Sequence, residues 1–197
     1  MSAIPYTRLS HLGIAVRDMD RMIGFYRRVL GFMVSDRGPV RDQEYAYLSR
    51  DPAEHHQIVF ATGRPQGTPT QIVQLSLELA SLADLRVMHD IVVKDPEAHD
   101  VSPRAHGVAW SLYFRDPEDN VIETFVPTPW YVPAPAVIPY DFSMSDEQIY
   151  EVVRRKVQEA PGYLTYREWQ DRTAAKMRQA GVWPGPQRDG VRRFTAD

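Results

Sequence analysis

The stretch His106-Gly-Val-Ala-Trp-Ser-Leu-Tyr-Phe-Arg-Asp-Pro-Glu-Asp-Asn-Val-Ile-Glu-Thr-Phe125 decides how the chain folds. Val108 to Phe114 is rich in aromatic and β-branched residues and predicts a strand. Asp116-Pro117-Glu118-Asp119-Asn120 predicts a turn, because Pro fixes φ and Asp and Asn tolerate the conformations that follow. Val121 to Val126 returns as a second strand. Its alternation puts Val121, Glu123 and Phe125 on one face and Ile122, Thr124 and Val126 on the other. Glu123 is thus a carboxylate in the middle of an apolar hairpin arm. Buried there, it needs a cation, a donor network or a metal. The plainer alternative is a glutamate facing water from an edge strand.

Outward from this hairpin, the chain repeats itself. Leu9 to Val16 alternates, with His11, Gly13 and Ala15 on one face and Leu12, Ile14 and Val16 on the other. Asp18 can cap a helix in which Met22, Phe25, Tyr26, Val29 and Leu30 recur at helical spacing, and Gly31 is a natural stop. Phe32 to Ser35 and Glu44 to Leu48 read as short strands separated by a Gly-Pro loop, His56 to Thr62 as another strand, and residues 63–69 as a linker rich in breakers. The opening pattern then returns 63 residues later. Val73 to Leu79 alternates with Gln74, Ser76 and Glu78 on one face, Ser81 takes the place of Asp18, and Leu85, Met88 and Val92 take the places of Met22, Phe25 and Val29. A βαβββ unit made twice is the expected architecture. Under this offset His11 corresponds to Gln74, and Phe60 to Glu123. The polar faces of the two sheets are expected to line a shared cavity, with Glu78 as a second candidate carboxylate there.

Residues 127–141 are Pro-rich and aromatic and predict an extended arm without regular structure. Ser145 with Gln148, and Thr165 with Glu168, form capping-box signals for two helices expected to cover the core or a partner subunit. The last residues, after Trp183-Pro-Gly-Pro186, are expected to fray.

Composition narrows the function. The net charge of −3, without a basic cluster, gives no footprint for nucleic acid. The absence of cysteine removes disulfides, thiolate metal sites and a cysteine nucleophile, and fits a reducing cytoplasm, the expected location. No apolar run approaches membrane-spanning length, and no signal-peptide pattern opens the chain.

The duplicated module, the opening His11-Leu-Gly-Ile-Ala-Val-Arg-Asp-Met-Asp, the segment Glu54-His-His-Gln-Ile-Val-Phe60 and the closing Tyr113-Phe-Arg-Asp-Pro-Glu-Asp-Asn-Val-Ile-Glu123 resemble the vicinal oxygen chelate (glyoxalase/type I extradiol dioxygenase) superfamily. Among its branches the chain is most similar to small one-domain extradiol ring-cleavage dioxygenases. The resemblance implies an α+β fold of two paired βαβββ modules forming a half-open barrel around a metal cavity. It spans residues 8–131, module one at about 8–64 and module two at about 71–126, followed by a Pro-rich arm and helical extension over 132–197.

The resemblance also implies a site. Metal ligands fall on His11, Gln74 and Glu123, with Gln74 standing where the dioxygenases carry a second histidine. The acid–base histidine falls on His56, the active-site tyrosine on Tyr113, and a substrate-contacting histidine near His106. Fe(II) is the implied cofactor, with Mn, Zn, Mg or Ni as alternatives, and the implied partners are an aromatic diol, O2 and a second copy of the chain. Two other functions fit the same fold. One is a glyoxalase-like isomerase or lyase whose metal stabilises an enolate as a Lewis acid, which an oxygen donor at Gln74 favours. The other is a metal-free binder of aromatic ligands, which has no need of the His11/Glu123 pair. His89 and His99 have no support as functional residues.

Overall fold

The computed structural model describes residues 7–70 and 72–182. The chain runs β1 (Leu12–Val16), α1 (Met19–Leu30), β2 (Met33–Val40), β3 (Gln43–Ser49), β4 (Ile58–Thr62), β5 (Leu75–Glu78), α2 (Leu82–Val92), β6 (His99–Ala105), β7 (Ala109–Arg115), β8 (Val121–Pro127), β9 (Trp130–Tyr131), β10 (Ile138–Pro139), α3 (Asp146–Glu159), β11 (Leu164–Thr165) and α4 (Tyr166–Gln179). Two mixed sheets form, ordered β1-β4-β3-β2 and β10-β6-β7-β8-β5, and neither closes on itself. Apart from β10 the two orders are the same, so the module is made twice.

The apolar stripe of each long helix explains the layering. Met22, Phe25, Tyr26, Val29 and Leu30 of α1 are buried, as are Leu85, Met88 and Val92 of α2, in one core with Ile14, Phe60, Leu112 and Ile122. Both helices start on the caps read from the sequence: Asp18 accepts from Arg21 N–H and Ser81 from Asp84 N–H. Gly31, at φ 73°, ends α1 in the left-handed region that glycine adopts without cost.

Several boundaries and one correspondence differ from the sequence reading. Gly38 and Pro39 lie inside β2 rather than in a loop, and the turn sits at Arg41-Asp42. β2 is the outer strand of its sheet, where a proline without an N–H is tolerated. The 127–141 arm contributes β9 and β10, paired to β11 and β6, so it is partly regular. The module offset also shifts. Leu12 pairs with Ile58 in the first sheet and Leu75 with Ile122 in the second, so Glu123 is equivalent to Val59, and Phe60 instead fills the core. Val59 faces Tyr47 across the β3–β4 pair as Glu123 faces Tyr113 across β7–β8.

The turn at Asp116–Asn120 fixes the modules to each other. Glu118, 3% exposed, accepts the N–H groups of Arg17 and Asp18 at 2.7 and 2.8 Å and pairs with Arg64 at 3.4 Å. Asp116 accepts from the backbone of Glu118 and Asn120, from the Asn120 amide, and from the Tyr26 hydroxyl of α1. Burial pushes the Asp116 carboxyl up and the Tyr26 phenol well up, while the donors around Asp116 pull the carboxyl back.

Beyond β8, Trp130 packs edge-on to Trp110, and Ile149, Val153 and Val157 bury one face of α3. Both capping boxes form as read, at Ser145/Gln148 and Thr165/Glu168. α4 buries none of its residues fully, so only α3 covers the core. α4 is held through the stacking of Trp169 on Tyr131. The segment after Trp183 lies outside the described residues. No helix among the described residues is long and apolar enough to cross a membrane.

Candidate metal and catalytic site

Glu123 sits on β8, an inner strand between β7 and β5, and is 7% exposed, which removes the edge-strand reading. Its carboxylate is held by neutral donors. Oε1 accepts from the Tyr113 hydroxyl at 2.5 Å, and Oε2 accepts from Ser76 Oγ and Gln74 Nε2, both at 2.6 Å. The second Gln74 N–H goes to Ser76 Oγ at 2.7 Å. Among the described residues no lysine, arginine or histidine forms an ion pair with Glu123. Of the carboxylate's roughly four lone-pair directions, three are filled by neutral donors and none by a cation.

Tyr113 carries the network outward. His106 Nε2 lies 3.0 Å from its oxygen, and His106 Nδ1 lies 2.7 Å from the Ala136 carbonyl. A carbonyl only accepts, so Nδ1 holds the proton and Nε2 is the imidazole nitrogen turned to Tyr113. The single Tyr113 proton therefore faces two acceptors, Glu123 and His106. Burial, then the hydrogen bond to Glu123 and its charge, push the Tyr113 phenol up, and the Arg104 guanidinium 4.0 Å over its ring pulls the other way.

His11, just ahead of β1, belongs to a second group. Its ring lies 4.4 Å from that of His56, which also meets Tyr47 at 5.2 Å. His56 falls in the loop before β4, not within the strand, so strand alternation does not separate it from His55. Instead the two Nδ1 atoms approach to 2.8 Å, and His55 Nε2 meets Asp36 at 2.7 Å. Burial, then the charges of His11 and His55, hold the His56 imidazole below its ordinary value, in the neutral form that accepts protons. Gln74 likewise precedes β5, and its side chain still turns to Glu123.

The structure thus joins Gln74, Glu123, Tyr113 and His106 in one hydrogen-bonded chain and pairs His11 with His56. No hydrogen bond links the two groups among the described residues, and no cluster of three or more His, Asp or Glu side chains is placed there to hold a metal. A metal at Glu123 therefore depends on Gln74. The donor chemistry suits one: an uncompensated carboxylate beside an amide whose rotation presents its oxygen is a fit for a divalent cation. Sequence reasoning missed Ser76 as a Glu123 donor, Tyr47 and Asp36. Ser76 shares the polar face with Gln74, which is the signal that marks it.

Beside His106 opens a cavity of about 550 Å³ lined by Val108, Tyr131, Ala134, Ala136, Tyr166 and Trp169. Its walls are apolar and aromatic, and much of them comes from the extension after residue 131.

The family model for the glyoxalase/bleomycin resistance protein/dioxygenase superfamily matches residues 8–124. The chain belongs to this superfamily. Members are usually metal-dependent enzymes and bind divalent ions. The chain is 28% identical over 121 residues to a biphenyl-2,3-diol 1,2-dioxygenase of Rhodococcus globerulus, a match covering 59% of this chain and 61% of that protein. Among solved structures it resembles a superfamily domain from Frankia sp. EAN1pec, with TM-score 0.55, 23% identity, and coverage of 63% of this chain and 100% of that one. It also resembles the fosfomycin resistance protein FosX of Listeria monocytogenes, with TM-score 0.51, 14% identity, and coverage of 63% and 96%. These likenesses establish the fold, and the helical extension lies beyond the residues matched by the family model.

Proposed function

We propose that the chain is a metal-dependent extradiol-type dioxygenase that opens a catecholic ring with O2. The observation that carries this reading is the chain Glu123–Tyr113–His106, which joins a buried carboxylate to two proton-handling groups beside an aromatic-walled cavity. The diol dioxygenase relative supports it.

Glu123 and Gln74, with His11 as third ligand, would hold the ion, and Fe(II) would supply chelation of the vicinal diol and access to O2 chemistry. The chain's own residues handle protons and position. Tyr113 O–H gives a hydrogen bond to an oxygen placed against Glu123. His106, fixed by the Ala136 carbonyl, turns Nε2 to the Tyr113 oxygen and orients that hydroxyl. His56, neutral at pH 7, accepts a phenolic proton and later gives it back. The walls of Tyr131, Tyr166 and Trp169 seat the aromatic body of the substrate and exclude water.

One observation favours a second reading, a glyoxalase-like isomerase or lyase. An amide oxygen at Gln74 makes a harder, oxygen-richer ligand set, which suits Mg or Mn as a Lewis acid. The experiment that separates them is anaerobic Fe(II)-loaded protein mixed with a catechol panel and then aerated. The dioxygenase takes up O2 and forms a yellow ring-fission product, and His56→Ala lowers that rate by about 10²–10⁴-fold while the diol still binds. No O2 uptake across the panel favours the isomerase or the metal-free binder.

A further inference from the structure

We propose that Arg104 is the substrate-recognition residue for a carboxylate carried by the diol, an inference that rests on the catecholic reading above and names its substrate class more narrowly. Arg104 lies on β6, opposite Ser111 of β7, with Tyr113 the next residue on the same face of β7. Its guanidinium carbon stands 4.0 Å over the centroid of the Tyr113 ring, and the hydroxyl of that ring binds Glu123. The charge is therefore held beside the candidate metal ligands by stacking.

What singles it out is its lack of a protein acceptor. Other arginines near the core are spoken for. Arg64 pairs with Glu118, Arg86 with Asp146 and two carbonyls, and Arg115 with Asp100 and a carbonyl. Among the described residues the Arg104 side chain makes no hydrogen bond or ion pair, and its Nε is shielded from solvent without a partner. Opposite it, Ser111 is fully buried and its hydroxyl is likewise unpartnered. Glu123, the carboxylate of the network, accepts from Tyr113, Gln74 and Ser76 and not from Arg104. A shielded Nε left unpaired is costly, and the planar fork of a guanidinium matches the two oxygens of a carboxylate. A diol with its hydroxyls toward Glu123 would bring a ring carboxylate, or one a single carbon removed, toward Arg104, which stacks on the Tyr113 ring beside that carboxylate. Neutral catechols would leave the charge unanswered.

The test is equilibrium binding in the absence of O2, so that it reads recognition whether or not the ring is later cleaved. Metal-loaded wild type, Arg104→Gln and Arg104→Lys are titrated calorimetrically with catechol, 2,3-dihydroxybenzoate, 3,4-dihydroxybenzoate and 3,4-dihydroxyphenylacetate. At least one carboxylated diol should bind wild type about 10–100-fold more tightly than catechol. Arg104→Gln should abolish that preference while catechol affinity stays within about threefold, and Arg104→Lys should keep part of it. Absence of any preference in wild type overturns the assignment. So does an equal loss of catechol and carboxylate binding in both variants, which marks Arg104 as a prop for Tyr113. If the preference behaves as expected but aerated protein consumes no O2, the dioxygenase reading fails and the carboxylate assignment stands.

Discussion

Tyr113 and Glu123 are direct partners across the β7–β8 pair, and the tyrosine hydroxyl donates to the carboxylate at 2.5 Å. The same two strand positions in the first module hold Tyr47 and Val59, so the duplicated sheet keeps the tyrosine and changes only the residue it faces. Where the first module has an aliphatic residue the second has a carboxylate, and this is the difference on which the proposed site rests.

Tyr113→Phe removes one of three donors to Glu123 and cuts His106 off from the carboxylate. Turnover should fall by about 10²-fold, with substrate affinity changed by less than about tenfold. Because the phenol is pushed up, no alkaline limb of the wild-type pH–rate profile should come from Tyr113. Steady-state kinetics of both proteins from pH 6 to 10 check this. A variant at full rate removes Tyr113 from the chemistry.

Gln74→His tests the ligand position in which the chain departs from the dioxygenases. An imidazole there is a better donor to Fe(II) than an amide, so affinity for Fe(II) should rise by about tenfold or more and ring cleavage should persist. Retained metal with abolished native activity points instead to a ligand set fitted to another reaction. Metal titration of the variant beside wild type reads the difference.

Asp116 contributes to stability rather than to chemistry. Its four accepted hydrogen bonds link the turn to Tyr26 of α1 in a buried place. Asp116→Ala should destabilise by about 3 kcal/mol in urea unfolding, and Tyr26→Phe by about 1 kcal/mol. A loss under about 0.5 kcal/mol for Asp116→Ala contradicts the clamp.

Much of this was legible in the residues. Period-3.6 stripes and the cap residues Asp18 and Ser81 placed both helices, and the 63-residue repeat gave the doubled module. Glu123 could be singled out because alternation put a charge on a strand flanked by apolar neighbours. What was not legible depended on register and loops. One residue of slip between β4 and β8 moved the partner of Glu123 from Phe60 to Val59, and no local pattern reports such a slip. The sequence reading starts a strand at His56, whereas its place before β4 is what lets His55 and His56 meet. Arg104 carries no motif; only the pairing of β6 with β7 sets it over Tyr113.

The outer face of α1 answers to pH. The hydrogen bond from Arg21, set against burial, and then Arg28 hold Glu97 below its ordinary value; Asp95 is held low by Arg28 although burial opposes it. Carboxyls lowered in the folded state contribute stability above their unfolded values, and that contribution is lost as pH falls through the folded ones. Urea midpoints should therefore be flat from pH 8 to 6 and decline below about pH 4.5, with a shallower decline in Arg28→Gln. An identical acid profile in the variant contradicts this pairing.

The most direct measurement is an anaerobic Fe(II) titration of wild type and Glu123→Gln. The substitution keeps size, replaces one accepting oxygen by an NH2 donor, and removes the carboxylate that no neighbouring cation pairs with. Wild type should bind one ion per chain, and Glu123→Gln should bind about 10²-fold or more weakly with its melting temperature little changed. Negligible binding by wild type, or equal affinity in the two proteins, would contradict a metal site built on Glu123.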